Sequence, residues 1–504
     1  MKLSKYTLKN ISPENVVVPG EEIFELPEKV LQFGTGVLLR GLPDYFIDKA
    51  NRKRIFNGRI VMVKSTAKGD ASSFEHQDGL YTLCERGIEN GEKVSVNIIN
   101  SSVSRVLIAQ SDWGEILTCA HNPDLKIIIS NTTEVGIQLV KDDIRHAPPS
   151  SYPGKLLAFL YERFKAFNGS EASGFVIIPT ELIPDNANKL ESIIMELAHL
   201  NSLSEDFIEW LEKYNFFCNS LVDRIVTGMP VEEVRNAIQN ELGYNDDLLT
   251  VSEVYSLWAI EGNDKIRSIL SFAEADNSVV IEPNIDLHRE LKLRLLNGTH
   301  TLTSGLAFLA NYETVLSTMK DKLTESFITD LMKNELAPSI PYEIDPATKE
   351  AFIAKVLDRF RNPHINHPWK NITLNYTSKI RTRCIPLLLS FYKNNEKPPV
   401  LFSLGFAAYL YFMKGIKQNG KEVYGEKNGE AYLIEDPMAG KLYDFWQNRS
   451  VDEVVNDVVK DESLWGTDLS VLPGFQTTVT SNLKDIMNNG MKATLEKVTS
   501  KESV

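Results

Sequence analysis

Nine residues, Lys292-Leu-Arg-Leu-Leu-Asn297-Gly-Thr-His300, place an amine, a carboxamide and an imidazole inside apolar, helix-forming sequence. Together these groups make a catalytic-looking cluster, in which the amine could take and give protons. On an α-helix of about 3.6 residues per turn, positions 292, 296, 299 and 300 share one face, and Asn297 and His300 are neighbours at i, i+3. At that pitch Asn297 lies roughly 140° round from Lys292. The two converge only through a kink, with Gly298 as the candidate, or through a substrate bound between them. An apolar setting disfavours the ammonium and is expected to move Lys292 toward titration near neutrality. The competing reading is a solvated stripe or a helix end.

Such a cluster needs a scaffold. A chain of 504 residues, 43% hydrophobic and 24% charged, is long enough for two or three domains around full cores. The expected strand Val30–Phe33 runs into Gly34-Thr35-Gly36 and then a helix over 37–50. Such a turn lets the backbone approach a pyrophosphate at a helix N-terminus, which makes Phe33, Gly34, Thr35, Gly36 and Val37 candidate dinucleotide contacts. Leu39 stands where a third glycine would fall. A second strand over 59–63 ends in Lys64-Ser65-Thr66, where an acidic residue would hold the ribose of NAD. Lys64 there suits a 2′-phosphate, while Asp70 further on suits a ribose.

The continuous apolar runs 125–130 and 174–179 read as buried parallel strands. They deliver Asn131-Thr-Thr-Glu134 and Thr180-Glu181, with Asp185 and Asn186 close behind, at the strand ends where open α/β sheets bind ligands. Asp223 and Arg224 are adjacent in a strand-like run and are expected to face different partners. Beyond a polar stretch near 274–283 the pattern turns helical, with Asp345-Pro346 opening a helix to about Phe360 and Asp436-Pro437 another toward Trp446. Lys379, Arg381 and Arg383 alternate in a chain of formal charge −14, which suits a local anion site and argues against non-specific nucleic-acid binding. Cys84, Cys119, Cys218 and Cys384 show no paired spacing and are expected to be buried thiols. The absence of an apolar run of about 18 residues or of a signal-like start makes a soluble, cytoplasmic protein the expectation.

Lys292-x4-Asn297-x2-His300, Gly34-x-Gly36-x3-Arg40, Ser130-Asn-Thr-Thr-Glu134 and Val222-Asp-Arg-Ile225 together resemble the motifs of the mannitol dehydrogenase family of long-chain polyol dehydrogenases. The resemblance implies an α/β protein, with a Rossmann-like N-terminal domain over 1–282, a mostly α-helical substrate and catalytic domain over 283–504, and a metal-independent active site. It implies Lys292 as acid and base, Asn297 as donor to the alkoxide, and His300 as the group orienting a substrate hydroxyl. It further implies Glu181, Asp223, Lys379 and Arg383 as substrate contacts, and Arg40, Asn131 and Glu134 beside the glycine turn as cofactor contacts. NAD is the implied cofactor, ahead of NADP, and the substrate a small sugar acid or polyol. Glu181 stands where polyol dehydrogenases carry an Asn, as in members that reduce tagaturonate. Fructuronate-reducing and mannitol-type activities are the alternatives, and a dinucleotide-binding sensor is the non-enzymatic one. Oligomeric state is open.

Overall fold

Runs of Val, Ile and Leu with no polar alternation are buried on both faces once folded, and here they form the middle of a six-stranded parallel sheet. The structure is a computed structural model that describes residues 1–66, 71–132 and 136–502. Its chain divides into two compact units, Met1–Gly87 with Lys93–Ile285, and Asp286–Val504 with Ile88–Glu92.

In the first unit the strands are β1 (Glu28–Phe33), β2 (Arg59–Lys64), β3 (Tyr81–Glu89), β4 (Glu92–Asn100), β5 (Val103–Ile108), β6 (Ile127–Ser130), β7 (Val176–Pro179) and β8 (Phe216–Phe217). The main sheet runs β5-β2-β1-β6-β7-β8. That is the doubly wound order, and its direction reverses between β1 and β6. Helices Tyr152–Ala166 and Asn186–Leu200 pack on one face through Leu156, Phe159, Ile194 and Leu197, with Phe33 and Val63 beneath them. The helix expected over 37–50 is two helices, Val37–Gly41 and Pro43–Arg52. Pro43 accounts for the break, since a residue before proline is pushed out of the helical region, and Leu42 sits at φ −135°, ψ −80°. The strands β9 (Ser220–Asp223), β10 (Val226–Gly228), β11 (Thr250–Glu253), β12 (Leu257–Glu261) and β13 (Val279–Glu282) complete two smaller sheets, β10-β11-β3-β4 and β13-β12-β9.

Among the described residues the regular structure of the second unit is helical except for Ile88–Glu92, where β3 gives way to β4, and an antiparallel meander over Lys417–Asn419, Glu422–Lys427 and Glu430–Ile434. Helices Gly298–Leu309 and Val400–Phe412 lie side by side, and a Cβ on Gly405 would come within 2.8 Å of the Leu302 carbonyl, so glycine permits the close approach. Asp345 caps Pro346–Phe360 through the Thr348 N–H at 2.9 Å, as its sequence suggests. All four cysteines are buried thiols, and no helix among the described residues is long and apolar enough to cross a membrane.

The glycine turn after β1 is sterically specified. Gly34 has φ +128°, and a Cβ there would meet the Asn131 carbonyl at 3.0 Å and a Leu39 methyl at 2.8 Å. Gly34→Ala is therefore expected to cost about 2 kcal/mol or more, read as a lowered midpoint in denaturant titration with an unchanged slope.

Candidate active site

In the first unit the β1 and β6 ends face each other at the switch point. Gly34 N–H donates to Val63 O at 2.9 Å and Asn131 N–H to Phe33 O at 3.1 Å, which pins both turns to the sheet. Gly36 follows at the start of the helix Val37–Gly41 with no side-chain cap, and nothing lies within 4 Å of where its Cβ would be. That open space beside uncapped N–H groups fits the close backbone approach a pyrophosphate needs. Phe33 presents main chain there, since its ring is buried against Tyr152, 5.2 Å between centroids. Thr35 and Val37 are half-buried beside it. Glu134 and Asp70 lie outside the described residues.

Four side chains in this unit make hydrogen bonds within the fold at positions where sequence suggested ligand contact. Arg40 is buried, with Nη1 on Leu248 O at 2.6 Å and Thr250 Oγ1 at 2.7 Å and its guanidinium over the Tyr81 ring. The helix bearing it turns that face inward. Asn131 Nδ2 donates to Thr180 O and Oγ1, tying the ends of β6 and β7. Asn186 donates to Pro179 O, Glu181 O and Ser220 O, which excludes it as a second donor to a reacting oxygen. Lys64 is buried and donates to Thr66 O at 2.5 Å.

Glu181 is 2% exposed and accepts from Thr132 N–H at 2.7 Å, Thr132 Oγ1 at 3.0 Å and Ser130 Oγ at 3.2 Å. Burial raises its pKa, and those hydrogen bonds offset only part of the shift. It holds the chain leaving β6. Asp223 ends β9 and is buried, while Arg224 turns to Glu85, Gly41 O and Glu253 O and lies 4.5 Å from the Tyr45 ring.

In the second unit the motif helix is not a plain α-helix. Asp286–Leu291 is α-helical, Lys292–Asn297 is π-helical, and Gly298 onward is α-helical again. With i→i+5 bonding at roughly 4.4 residues per turn, the five steps from Lys292 to Asn297 end about 50° past a full circle. On that geometry positions 292 and 297 lie closer to one side of the helix than they would at α-helical pitch.

His300, one turn on, lies flat against Phe360, 4.3 Å between centroids and 13° between planes, with the rings of His367 and Trp369 at its edge. Its Nε2 is shut off from solvent and has no hydrogen-bond partner. Burial first, then the charges of His367, Arg359, Arg383 and Lys379, hold its pKa well below the ordinary histidine value, so the ring is neutral at neutral pH. His367 is lowered in the same way by burial, Arg359 and Lys379. Spacing alone does not join His367 and Arg359 to the motif; folding brings them beside His300.

The anion candidates lie on a second π-helical segment, Ile380–Cys384. Lys379 Nζ donates to Ile372 O at 2.8 Å, and burial, with Arg383 adding to it, pushes its pKa down to about 8. Arg383 is lowered by burial and donates through Nη1 to Thr301 Oγ1 at 3.2 Å. Arg381 is exposed and turned to Ser463 O, apart from the other two. Pro386 accounts for the irregular turn: it has no N–H for the Thr382 carbonyl four residues back. Arg294, which sequence reasoning passed over, fills the gap, with Nη1 on Thr382 O at 2.7 Å and Arg383 O at 3.0 Å.

Comparison with known proteins follows these two halves. Residues 28–270 match the mannitol dehydrogenase Rossmann domain and residues 284–487 the mannitol dehydrogenase C-terminal domain. Altronate oxidoreductase of Bacillus subtilis is 37% identical over 476 residues, 94% of this chain and 95% of that protein. Altronate oxidoreductase of Halalkalibacterium halodurans is 35% identical over 485 residues, 94% of each. Among solved structures, Pseudomonas fluorescens mannitol 2-dehydrogenase in ternary complex with NAD and D-mannitol superposes with a TM-score of 0.70 at 21% identity, covering 99% of this chain and all of that one. A substrate-free D-sorbitol dehydrogenase gives 0.79 at 20% identity, covering 98% and all of that chain, and these two likenesses bear on the fold alone. With both halves matched in order, and near-full-length relatives well above 30% identity, the chain belongs to the mannitol dehydrogenase family.

Proposed function

We propose that the protein is an NAD-dependent oxidoreductase that reduces the ketouronate D-tagaturonate to D-altronate, reversibly. The observation that carries this is electrostatic: in a chain of formal charge −14, the cations Arg359, Lys379 and Arg383 all bear on His300. A neutral polyol needs no such collar, whereas a carboxylate does. The names of the near-full-length relatives support the same reaction.

The first part of the chain, 1–282, is assigned to the dinucleotide, held by the main chain of Phe33, Gly34, Thr35, Gly36 and Val37 and the Asn131 turn, with Glu134 beside it in sequence. NAD is taken as the cofactor ahead of NADP, with Lys64 at the β2 end buried and donating to Thr66 O. When bound, NADH supplies the two electrons and one hydrogen that reduce the ketone carbon. The second part, 283–504, does the rest. Lys379 and Arg383 bind the substrate carboxylate. Lys292, as the ammonium, protonates the ketone oxygen, and the Asn297 carboxamide donates to that oxygen as negative charge develops on it. His300, neutral and with Nε2 unpartnered, takes a substrate hydroxyl. Glu181 and Asp223 are assigned to the remaining substrate hydroxyls, Glu181 also by fixing the chain after β6. In oxidation Lys292 as the amine takes the hydroxyl proton.

Lys292→Ala should lower turnover on the order of 10²- to 10⁴-fold, the usual worth of a placed acid or base, while NADH binding followed by fluorescence stays within a factor of two. Near-wild-type turnover would remove Lys292 from the reaction.

The Lys379 ammonium is present below about pH 8 and lost above it in the free enzyme. The efficiency ratio for tagaturonate over a neutral ketose should therefore decline as pH rises through that range, and Lys379→Gln should flatten the decline. A pH-independent ratio in wild type would exclude Lys379 as the anchor.

Wild type should reduce tagaturonate far better than fructose, and Arg383→Gln should narrow that preference by roughly 2 kcal/mol, about 30-fold, through the uronate alone. A wild-type preference for fructose would replace this reading with the mannitol-type one.

A further inference from the structure

We propose that Arg294 is a positioning residue that fixes the spacing between the proton-transfer pair, Lys292 and Asn297, and the carboxylate anchors, Lys379 and Arg383. It would thereby set the ketone-to-carboxylate separation the site accepts. The inference rests on the ketouronate reading above and adds a specificity determinant to it.

Arg294 lies within the π-helical segment that carries Lys292 and Asn297, and it is 7% exposed. Its guanidinium is a planar fork with five donors. On one side Nε and Nη2 reach the Glu290 carboxylate at 2.9 and 3.4 Å, one turn back on the same helix. On the other, Nη1 takes the carbonyls of Thr382 and Arg383, the second belonging to an anchor residue itself. A return link exists. Arg383 Nη1 donates to Thr301 Oγ1, and Thr301 Oγ1 donates to Asn297 O at 2.7 Å. The backbone of Arg383 is thus held from the segment bearing Lys292, and the backbone of Asn297 is held by a hydroxyl that Arg383 engages. The Cys384 thiol, pointing at Gly298 O, lies along the same seam. A lysine at 294 could form the Glu290 pair or reach one carbonyl as a point charge, but it lacks the fork that joins all three acceptors.

The test compares Arg294→Met and Arg294→Lys with wild type in steady-state reduction of tagaturonate and of fructose at 25 °C, alongside thermal unfolding and NADH binding by fluorescence. Positioning predicts NADH affinity within twofold of wild type, a kcat for tagaturonate at least 10-fold lower in Arg294→Met, and a tagaturonate-to-fructose efficiency ratio at least 5-fold lower. Arg294→Lys should recover less than a third of the kcat loss. A lower unfolding temperature with kcat and the ratio unchanged would mean a merely structural role and overturn the proposal. If Arg294→Met does not fold, Glu290→Gln decides: it keeps the carbonyl bonds while loosening the aim of the fork, and kcat should fall about 3-fold or more, an unchanged value overturning the proposal. Wild type alone judges the ketouronate reading. Should it prefer fructose, that reading falls, and the kcat of the variants on fructose still decides whether Arg294 positions Lys292 and Asn297.

Discussion

A proline that cannot donate a hydrogen bond lies behind much of the second unit's architecture. Pro386 leaves Thr382 O without its usual helical donor, the turn over Ile380–Cys384 widens, and a buried guanidinium from another helix moves in. A buried carbonyl left unpaired costs on the order of 1–3 kcal/mol, so Arg294 and this turn depend on each other. The pattern recurs at Leu331–Leu336, also π-helical and followed by Pro338, where the Glu335 carboxylate accepts from the N–H groups of Leu401 and Phe402 and caps Val400–Phe412. Irregular turns in this unit are joints at which one helix grips another.

The charge arrangement follows from burial as much as from composition. Arg359 and Lys379 bear on both the His300 and His367 imidazoles, and Arg383 on His300 as well. Desolvation and these positive charges both disfavour protonation of the two rings. The first unit does the opposite with its cations: Arg40, Arg163 and Arg224 donate to main-chain carbonyls inside the fold, and Arg163 alone engages those of Ser173, Ala120, Asn122 and Leu125.

How far this was legible from sequence depends on whether a residue's task is local. The turn at Gly34 could be read because its backbone angle and the closeness of Asn131 admit no side chain, a constraint the residue type itself reports. The apolar runs 125–130 and 174–179 were legible for the same reason. The burial of Arg40 was not legible, because its motif position says nothing of which way a five-residue helix, cut short by Pro43, turns its faces. The need for Lys292 and Asn297 to converge was visible at α-helical pitch, yet the means was not, since hydrogen-bond partners shifted by one residue leave no mark on a single sequence. His367 and Arg294 act through partners 67 and 88 residues away, a separation no spacing rule spans.

Cys384 is wholly buried, with its thiol pushed up to about 12, so almost none of it is thiolate at neutral pH. Oxidants and alkylating reagents therefore meet it only when the seam between the two π-helical segments opens. The rate at which this sulfur is modified becomes a clock for local unfolding of the second unit, readable by mass without any substrate or cofactor present.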